Sequence, residues 1–291
     1  APSDMVDLIK SIKSATAIDD NTVEVKTEGP NPLLLNQLTQ IFVMSEAWAK
    51  ANGCEVSYNW DAGETSYCAS NANGTGPFKI TFREQDVRTV FEKNNEWWGD
   101  HSTHNIDKIE LLPIKNDATR VAALLSGEID YTNILPVQDI ARIKSSSGHI
   151  VKSTPSNRTI FFGMDQGSAE LNSSNVKGKN PFADKRVRLA MYHALDIEAI
   201  KDKVMRGQSA PAGIITAPGI NGHTPERDQR LAYDPELSKK LLAEAGYPDG
   251  FELTLDCPND RYINDEAICV AAIGMFAKIG VTVNLDAKTK S

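Results

Sequence analysis

The sequence predicts an α/β protein built from two lobes. Helical and strand-like segments follow one another in mixed order, and no internal repeat is present. The second half is predicted as strand, helix, helix, helix, strand, helix and strand, which suffices for an α/β lobe with its own core. The 291 residues also provide the length of roughly two domains.

Composition and charge narrow the classes of function. With 41% hydrophobic and 24% charged residues, the chain has the composition of an ordinary soluble protein. No run of about 18 apolar residues occurs, so a membrane-spanning helix is not predicted. The net charge of −8 disfavours nucleic acid or anionic lipid as a partner. The N-terminal A-P-S-D-M-V-D has no signal-peptide pattern, as expected of a mature or truncated chain.

Turn residues and apolar alternation mark the elements of the first half. Asp19, Asp20 and Asn21 form a turn signal between two strand-like runs, and Pro30 and Pro32 precede a helical run. The predicted elements are a short helix capped by Ser3, strands at 15–18 and 22–27, a helix at 33–38, a strand at 41–44, a helical turn at 46–50, and strands at 78–83 and 89–93.

A well-delimited helix is predicted at 118–126. Asp117 is a good N-cap, and Gly127 is a good C-terminal stop. Val121, Leu124 and Leu125 give the helix an apolar stripe. A helix at 137–144 follows further along the chain.

Polar side chains follow that helix after a short strand predicted at 128–131. They are Tyr131, Thr132 and Asn133. In an α/β lobe, polar side chains that follow a helix, a glycine and a short strand lie at the edge of a crevice. Asn133 acting as the cap of a turn is the alternative interpretation.

The segment 158–164 alternates with apolar residues on nearly both faces. We expect it to be a central, buried strand, because a strand covered on both sides has this composition. Arg158 begins the segment and is either near a ligand crevice or a surface cation at a strand start.

Local capping signals define the helices of the second half. Asp184, Asp196 and Asp234 are each placed to cap a helix, and Pro235 occupies the first helical position after Asp234. The last predicted elements are a strand at 251–257, a helix at 264–279 and a strand at 281–287.

Four cysteines fall into two local pairs, Cys54 with Cys68 and Cys257 with Cys269. No C-x-x-C motif is present and no histidine has ligand spacing to either pair, which disfavours zinc. Two disulfides or four free thiols remain. The even number and local pairing favour disulfides, hence an oxidising compartment.

Other candidate groups have structural alternatives. Trp97 and Trp98 either stack on a ligand or pack with one ring inside and one at the rim, and the second interpretation is favoured. His101 and His104 have the spacing of a weak metal site, but no third ligand is visible, so no metal is predicted. Neither G-x-S-x-G nor H-E-x-x-H occurs, and the sequence therefore predicts no enzyme.

Three blocks occur in a distinctive order. The first begins with N-G-T-G-P-F-K-I at 73–80 and N-N-E-W-W-G at 94–99, and continues through D-A-T-R-V-A-A-L-L-S-G-E-I-D-Y-T-N-I-L-P at 117–136. The second, N-P-F-A-D-K-R-V-R-L-A-M-Y-H-A-L-D-I-E-A-I, covers 180–200, and the third, Y-D-P-E-L-S-K-K-L-L-A-E-A-G-Y-P-D-G-F-E-L-T-L, covers 233–255. Together they resemble the peptide and nickel class (family 5) of extracytoplasmic solute-binding proteins, the receptors of bacterial ABC importers.

This resemblance implies a two-lobed, periplasmic-binding-protein-like fold with mixed sheets and helices. Residues 1–157 would belong to lobe I and residues 158–291 to lobe II, with a hinge near 156–165. Lobes of this kind close on a ligand like a hinged trap. In the resembling family, the loop after S-G-E-I-D borders the cleft, which implies ligand contacts for Tyr131, Thr132 and Asn133. Arg158 is added as a second candidate beside the crevice.

The chain is shorter than the resembling family at both ends. We therefore expect a fold that is incomplete at both ends. The charged side chains that hold peptide termini are mostly in the family's absent C-terminal stretch, so they are assigned to no residue here.

The function implied is that of a monomeric receptor. It would be periplasmic or otherwise extracytoplasmic, would capture a peptide without a cofactor, and would meet the membrane only through the importer's permease. The alternative keeps the fold but binds an oligosaccharide, an opine-like compound or a metal chelate, because a fold does not fix its ligand. A hydrolase is the remote alternative, and it would require a nucleophile within reach of a base.

Overall fold

The computed structural model describes residues 6–56, 58–59 and 63–289, so the predicted cap Ser3 lies outside the described residues. Contacts divide the chain into two compact units between Pro113 and Ile114. This division differs in position from the predicted lobe boundary at 157/158. These contacts do not test which parts of the chain move together, so the lobe bounds 1–157 and 158–291 and the hinge near 156–165 stay predictions.

The first unit contains an antiparallel hairpin where the turn signal predicts one. Strands β1 (Ile12–Asp19) and β2 (Thr22–Thr27) pair with Ala15 opposite Val25. The carboxylate of Asp19 accepts a hydrogen bond of 2.9 Å from the backbone N–H of Asn21. An aspartate that bonds its own backbone two residues on closes a tight turn, which explains why the local sequence predicts this hairpin correctly.

The first unit also contains short helices. They are α1 (Val6–Ile9), α2 (Leu34–Leu38), α3 (Glu46–Ala51) and α4 (Tyr67–Ser70). The strand predicted at 41–44 is wrong, because these residues have no regular structure and Phe42 and Val43 are exposed. A run of apolar residues becomes a strand only where a neighbouring strand accepts its backbone hydrogen bonds.

The first unit also contains a three-stranded antiparallel sheet. Its strands are β3 (Phe78–Glu84), β4 (Arg88–Lys93) and β5 (Lys108–Leu111), in the order β3-β4-β5. Val90 of the middle strand is buried. The predicted strands at 78–83 and 89–93 are confirmed to within one residue at each end.

Both predicted disulfides are present, Cys54–Cys68 in the first unit and Cys257–Cys269 in the second. All four cysteines of the sequence are bonded in this way, so the free-thiol alternative is excluded. Each bridge closes a short local loop, and in the chain-entropy model such a bridge destabilises the unfolded state.

The second unit begins with a small helical layer. Helix α5 (Asp117–Ser126) and helix α6 (Ile140–Ser145), which follows a 3-10 turn at Val137–Asp139, share a buried apolar cluster. The cluster contains Val121, Leu124 and Ile143. The predicted cap is wrong by one residue, because Asn116 rather than Asp117 accepts the hydrogen bond from the backbone N–H of Thr119.

The main layer of the second unit follows the predicted order from Asp184 onward. The elements are α7 (Lys185–His193), α8 (Ile197–Ala199) continued by a π-helix at Ile200–Val204, α9 (Pro235–Glu244), β6 (Glu252–Pro258), α10 (Asp265–Ala277) and β7 (Thr282–Lys288). Asp184, Asp196 and Asp234 cap their helices as predicted. Among the described residues, no helix is long and apolar enough to span a bilayer.

Strands β6 and β7 run parallel, with Leu253 beside Val283, and α10 connects them. Helices α7, α9 and α10 share one core with this pair. The buried members of that core are Leu171, Phe182, Val187, Ala190, Met191, Ala194, Leu242, Phe251, Leu253, Ala272, Phe276, Ile279, Val281 and Val283. This arrangement is the α/β lobe that the order of elements predicts.

The two strands begin where two glycines meet. Gly250 precedes β6 and Gly280 precedes β7, with positive φ angles of 74° and 86°. A Cβ atom on Gly250 would overlap the carbonyl group of Gly280. Only glycine satisfies both the backbone angle and the close approach.

Two further predicted strands are absent. Residues 128–131, which follow the left-handed Gly127, form bends, and residues 158–164 have no regular structure. Within 158–164, Phe162 and Met164 pack against the core, whereas Phe161 is 64% exposed. The alternation in sequence is real, but no described strand lies beside this segment to pair with it.

Candidate functional site

The predicted cleft loop follows α5 through a sharp reversal. Gly127 adopts a left-handed conformation (φ 78°), and the next N–H groups, of Glu128 and Ile129, donate to the carbonyl of Ala123. Ile129 packs against the buried cluster of α5 and α6. The reversal therefore fixes the point from which Tyr131, Thr132 and Asn133 leave the helix.

The loop presents its polar side chains outward. Tyr131 is 78% exposed, Asn133 is exposed, and the amide of Asn133 has no hydrogen bond with another described residue. The Thr132 hydroxyl lies 3.4 Å from both the N–H and the carbonyl oxygen of Ile134, a long and therefore weak local contact. These groups are available to solvent or to a ligand.

Arg120 of α5 holds this loop in place. Its Nε donates to the carbonyl oxygen of Ile134 at 3.1 Å, and its Nη1 donates to the carbonyl oxygen of Ile114 at 2.8 Å. Its Nη2 forms an ion pair with Asp117, and the Arg120 side chain is only 11% exposed. The planar guanidinium thus joins the start of the second unit to the end of the loop. The sequence indicates the spacing of Asp117 and Arg120, but not the distant carbonyl groups.

Arg158 is exposed, and its guanidinium makes no hydrogen bond or ion pair with other described residues. Its backbone N–H donates to the Ser156 hydroxyl at 3.2 Å. No described contact joins Arg158 to Tyr131, Thr132 or Asn133. The neighbouring Thr159 does make a long-range contact, because its hydroxyl donates to the carbonyl oxygen of Ile215 at 2.7 Å.

Trp97 and Trp98 have the arrangement that the sequence favours, in which one ring packs inside and the other lies at the rim. Trp97 is half-buried and packs edge-on against His101, while Trp98 is 84% exposed. The buried Asn94 supports this corner by donating to the carbonyl oxygen of Gly76 at 3.1 Å. A Cβ atom on Gly99 would overlap the Trp97 indole, so the ring lies directly over the backbone.

The histidines considered for a metal are engaged locally. His101 Nε2 lies 2.7 Å from the Trp97 carbonyl oxygen, and His104 stacks on Phe78 with ring centroids 4.9 Å apart. Across the described part of the chain, no group of three or more His, Cys, Asp or Glu side chains is arranged to hold a metal ion.

Two surface depressions lie beside the disulfides. The larger, about 380 Å³, is in the first unit, and the smaller, about 170 Å³, lies at the carboxyl ends of β6 and β7. At the smaller one, the ammonium group of Lys288 contacts Asp256 at 2.8 Å and Asp286 at 2.6 Å. These hydrogen bonds raise the pKa of Lys288, and its charge is therefore retained. The larger depression is lined by Met44, Cys54, Val56, Tyr58, Ser66, Cys68 and Ala69.

The sequence profile described as "Bacterial extracellular solute-binding proteins, family 5 Middle" matches residues 2–291. The chain belongs to this family. The resemblance carried by the three sequence blocks is thereby confirmed.

Curated relatives of this family 5 protein are named as binding proteins. The periplasmic oligopeptide-binding protein OppA of Salmonella typhimurium is 28% identical over 291 residues, which cover 96% of this chain and 50% of OppA. The dipeptide-binding protein of Escherichia coli is 28% identical over 284 residues, which cover 96% of this chain and 49% of that protein. The chain therefore spans about half the length of these relatives.

Solved structures agree with the fold of this family 5 protein. The periplasmic binding protein DppA from Helicobacter pylori, in complex with the peptide STSA, matches with a TM-score of 0.76 and 24% identity over 99% of this chain and 54% of DppA. NikZ from Campylobacter jejuni, in complex with Ni(L-His), matches with a TM-score of 0.73 and 18% identity over 99% of this chain and 55% of NikZ. The predicted class, a two-lobed periplasmic-binding-protein-like α/β fold, is confirmed.

Proposed function

We propose that this protein is the substrate-binding receptor of an ABC importer, which captures a peptide between two hinged lobes and delivers it to a membrane permease. The observation that carries this proposal is the family match over residues 2–291. Two relatives named for oligopeptide and dipeptide binding support a peptide as the cargo. The receptor binds its cargo without converting it, needs no cofactor, and acts as a monomer in the periplasm or an equivalent extracytoplasmic space.

The proposed ligand-binding residues are Tyr131, Thr132, Asn133 and Arg158. The exposure of Asn133 and Arg158, together with the lack of hydrogen bonds from their side chains to described residues, supports this role. A peptide offers amide groups to Asn133 and a carboxylate to Arg158, so each has a suitable partner in the ligand. The proposed lobes are residues 1–157 and 158–291, with the hinge near 156–165.

Native mass spectrometry of the full-length protein, purified from its own host without denaturation, tests the cargo. A distribution of adduct masses that match short peptides is the expected result. A single discrete adduct that is not a peptide would instead support the second candidate, a non-peptide solute such as an oligosaccharide, an opine-like compound or a metal chelate. The neighbour in complex with Ni(L-His) favours keeping that candidate.

Titration calorimetry with trialanine tests the loop. Asn133→Ala in the full-length protein should weaken binding by roughly two- to twelvefold, since a hydrogen bond to the ligand contributes roughly 0.5–1.5 kcal/mol. Asn172→Ala is the matched control, because Asn172 is also exposed but lies outside the proposed site. Equal affinity of the Asn133 variant and the control would remove Asn133 from the site.

A further inference from the structure

The 30 residues between the π-helix and α9 contain no helix or strand, yet they follow one defined course. Three of their large apolar side chains, Ile215, Ile220 and Leu231, are exposed, whereas Ala217 is buried. Polar contacts add to this packing in fixing the excursion, defined here as residues 205–234.

Asp228 is the centre of those contacts. Its Oδ1 accepts hydrogen bonds from the backbone N–H groups of Gly213, at 2.5 Å, and Ile214, at 3.3 Å. Its Oδ2 lies 3.1 Å from His223 Nε2. The side chains of His223 and Asp228 are only 12% and 16% exposed. One carboxylate thus joins two distant stretches of the excursion. We call these four residues the Asp228 network.

The two stretches are in direct backbone contact at this point. A Cβ atom on Gly213 would lie 2.8 Å from the carbonyl carbon and oxygen of Gln229. Such contacts are shorter than real side chains make, so only glycine permits this approach. The Asp228 network therefore lies where two stretches of backbone pack closely against each other.

The excursion is also attached to α7. The guanidinium of Arg230 stacks over the Tyr192 ring at 4.5 Å and donates to the carbonyl oxygen of Ala212 at 3.1 Å. His193 Nδ1 lies 2.7 Å from the carbonyl oxygen of Ala232. These contacts hold the same backbone on the surface of the core.

Ile215 links this network to the predicted hinge. The preceding residue, Ile214, donates its backbone N–H to the Asp228 carboxylate. The carbonyl oxygen of Ile215 itself accepts the 2.7 Å hydrogen bond from the Thr159 hydroxyl. The residues next to Thr159 are not part of a sheet, and Ile160 and Phe161 are exposed. Apolar packing begins only at Phe162. The bond to Ile215 is thus what ties the start of segment 158–164 to the excursion.

We propose that Asp228 is a positioning residue for ligand binding, which acts through Ile215 and Thr159 to fix the course of residues 156–161. The inference rests on the proposed function, in which 156–165 is the connection between the lobes. Asp228 does not contact the ligand. It restricts the conformations that the connecting segment samples, and a preorganised segment binds with a smaller loss of entropy.

The first test needs no ligand. Hydrogen–deuterium exchange of the full-length protein is compared for Asp228→Ala, Thr159→Val and the control Asp249→Ala, an exposed carboxylate of the same unit. Asp228→Ala should accelerate exchange in peptides that cover 213–216 and 157–161, whereas Thr159→Val should affect only 157–161. Unchanged exchange at 157–161 in Asp228→Ala overturns the proposal.

The second test is a double-mutant cycle on trialanine binding, measured by calorimetry. Asp228→Ala and Thr159→Val should each weaken binding by about tenfold, and the double variant should be no weaker than either, because both act through one contact. If the loss of affinity in the double variant equals the product of the two single losses, the proposal is overturned. Wild-type affinity in Asp228→Ala also overturns it. A wild-type protein that does not bind trialanine counts against the peptide function instead, and the exchange measurement then decides the positioning role alone. If Asp228→Ala fails to fold, Thr159→Val tests the same contact from its other end.

Discussion

The Nε of Arg120 donates a hydrogen bond of 3.1 Å to the carbonyl oxygen of Ile134, the residue next to Asn133. A helix side chain thereby sets the position of the loop proposed to bind the ligand. The same guanidinium donates to the carbonyl oxygen of Ile114.

Arg120→Lys should therefore weaken trialanine binding by about tenfold with little change in the helix itself. A lysine ammonium lacks the planar fork that reaches both carbonyl groups at once. Calorimetry provides the measurement. The control is Arg142→Lys, since Arg142 is largely exposed and only pairs with Asp139 at 3.7 Å. If both variants bind with the same affinity, Arg120 has no positioning role.

Gly99→Ala should lower the free energy of unfolding by about 1–3 kcal/mol, because the added methyl group overlaps the Trp97 indole. The ring must tilt, and this should shift the tryptophan emission spectrum. Gly76→Ala is a suitable control, since a Cβ atom there meets no atom within 4 Å. An unchanged spectrum and unfolding midpoint for Gly99→Ala would contradict this packing.

Replacing both Cys257 and Cys269 by alanine should lower the free energy of unfolding by about 3 kcal/mol, on the chain-entropy model. Both cysteines are buried, and alanine introduces no thiol that would need a partner there. All four tryptophans of the sequence precede Pro113, so their emission reports on the first unit. Urea unfolding followed by circular dichroism should therefore show a larger shift than unfolding followed by tryptophan emission.

The matched comparison removes Cys54 and Cys68 in the same way. That variant should shift the tryptophan transition more strongly, because this bridge belongs to the first unit. Identical shifts of both probes in both variants would show that the bridges do not stabilise separate units.

Protonation of Asp228 at low pH should weaken the Asp228 network and lower the stability of the protein. The N–H of Gly213, and next the imidazole of His223, hold the pKa of Asp228 below its ordinary value of 3.8. A lowered folded pKa means that the stabilisation is complete above the unfolded pKa and disappears as the pH falls through the folded pKa. Stability should thus decline between about pH 5 and pH 2, and less steeply in Asp228→Asn. If the free energy of unfolding falls with pH equally steeply in the wild type and in Asp228→Asn, Asp228 does not provide this acid-sensitive stabilisation.

The sequence predicts best where a structure depends on nearby residues. Asp184, Asp196 and Asp234 cap helices through side-chain bonds to N–H groups two or three positions later, and such bonds are visible in the local sequence. The two disulfide pairs are also local, and both were predicted.

Prediction fails where the partner is distant. The segments 41–44 and 158–164 have strand-like composition, but a strand exists only when another strand pairs with it, and alternation does not reveal that partner. The same reason explains why Arg120 was overlooked, since its acceptor at Ile134 lies 14 positions away. The ligand contacts of Tyr131, Thr132, Asn133 and Arg158 stay predictions.

The contact between Gly250 and Gly280 also determines where this protein can be engineered. The two loops meet just before β6 and β7, and the strands then pair from Glu252 with Thr282. One extra residue in the loop before β7 would slip the register and turn Val281 and Val283 from the core towards water, and one before β6 would do the same to Leu253. Fluorescent labels, affinity tags and permuted termini therefore belong elsewhere, for example in the exposed hairpin turn around Asp20, between β1 and β2.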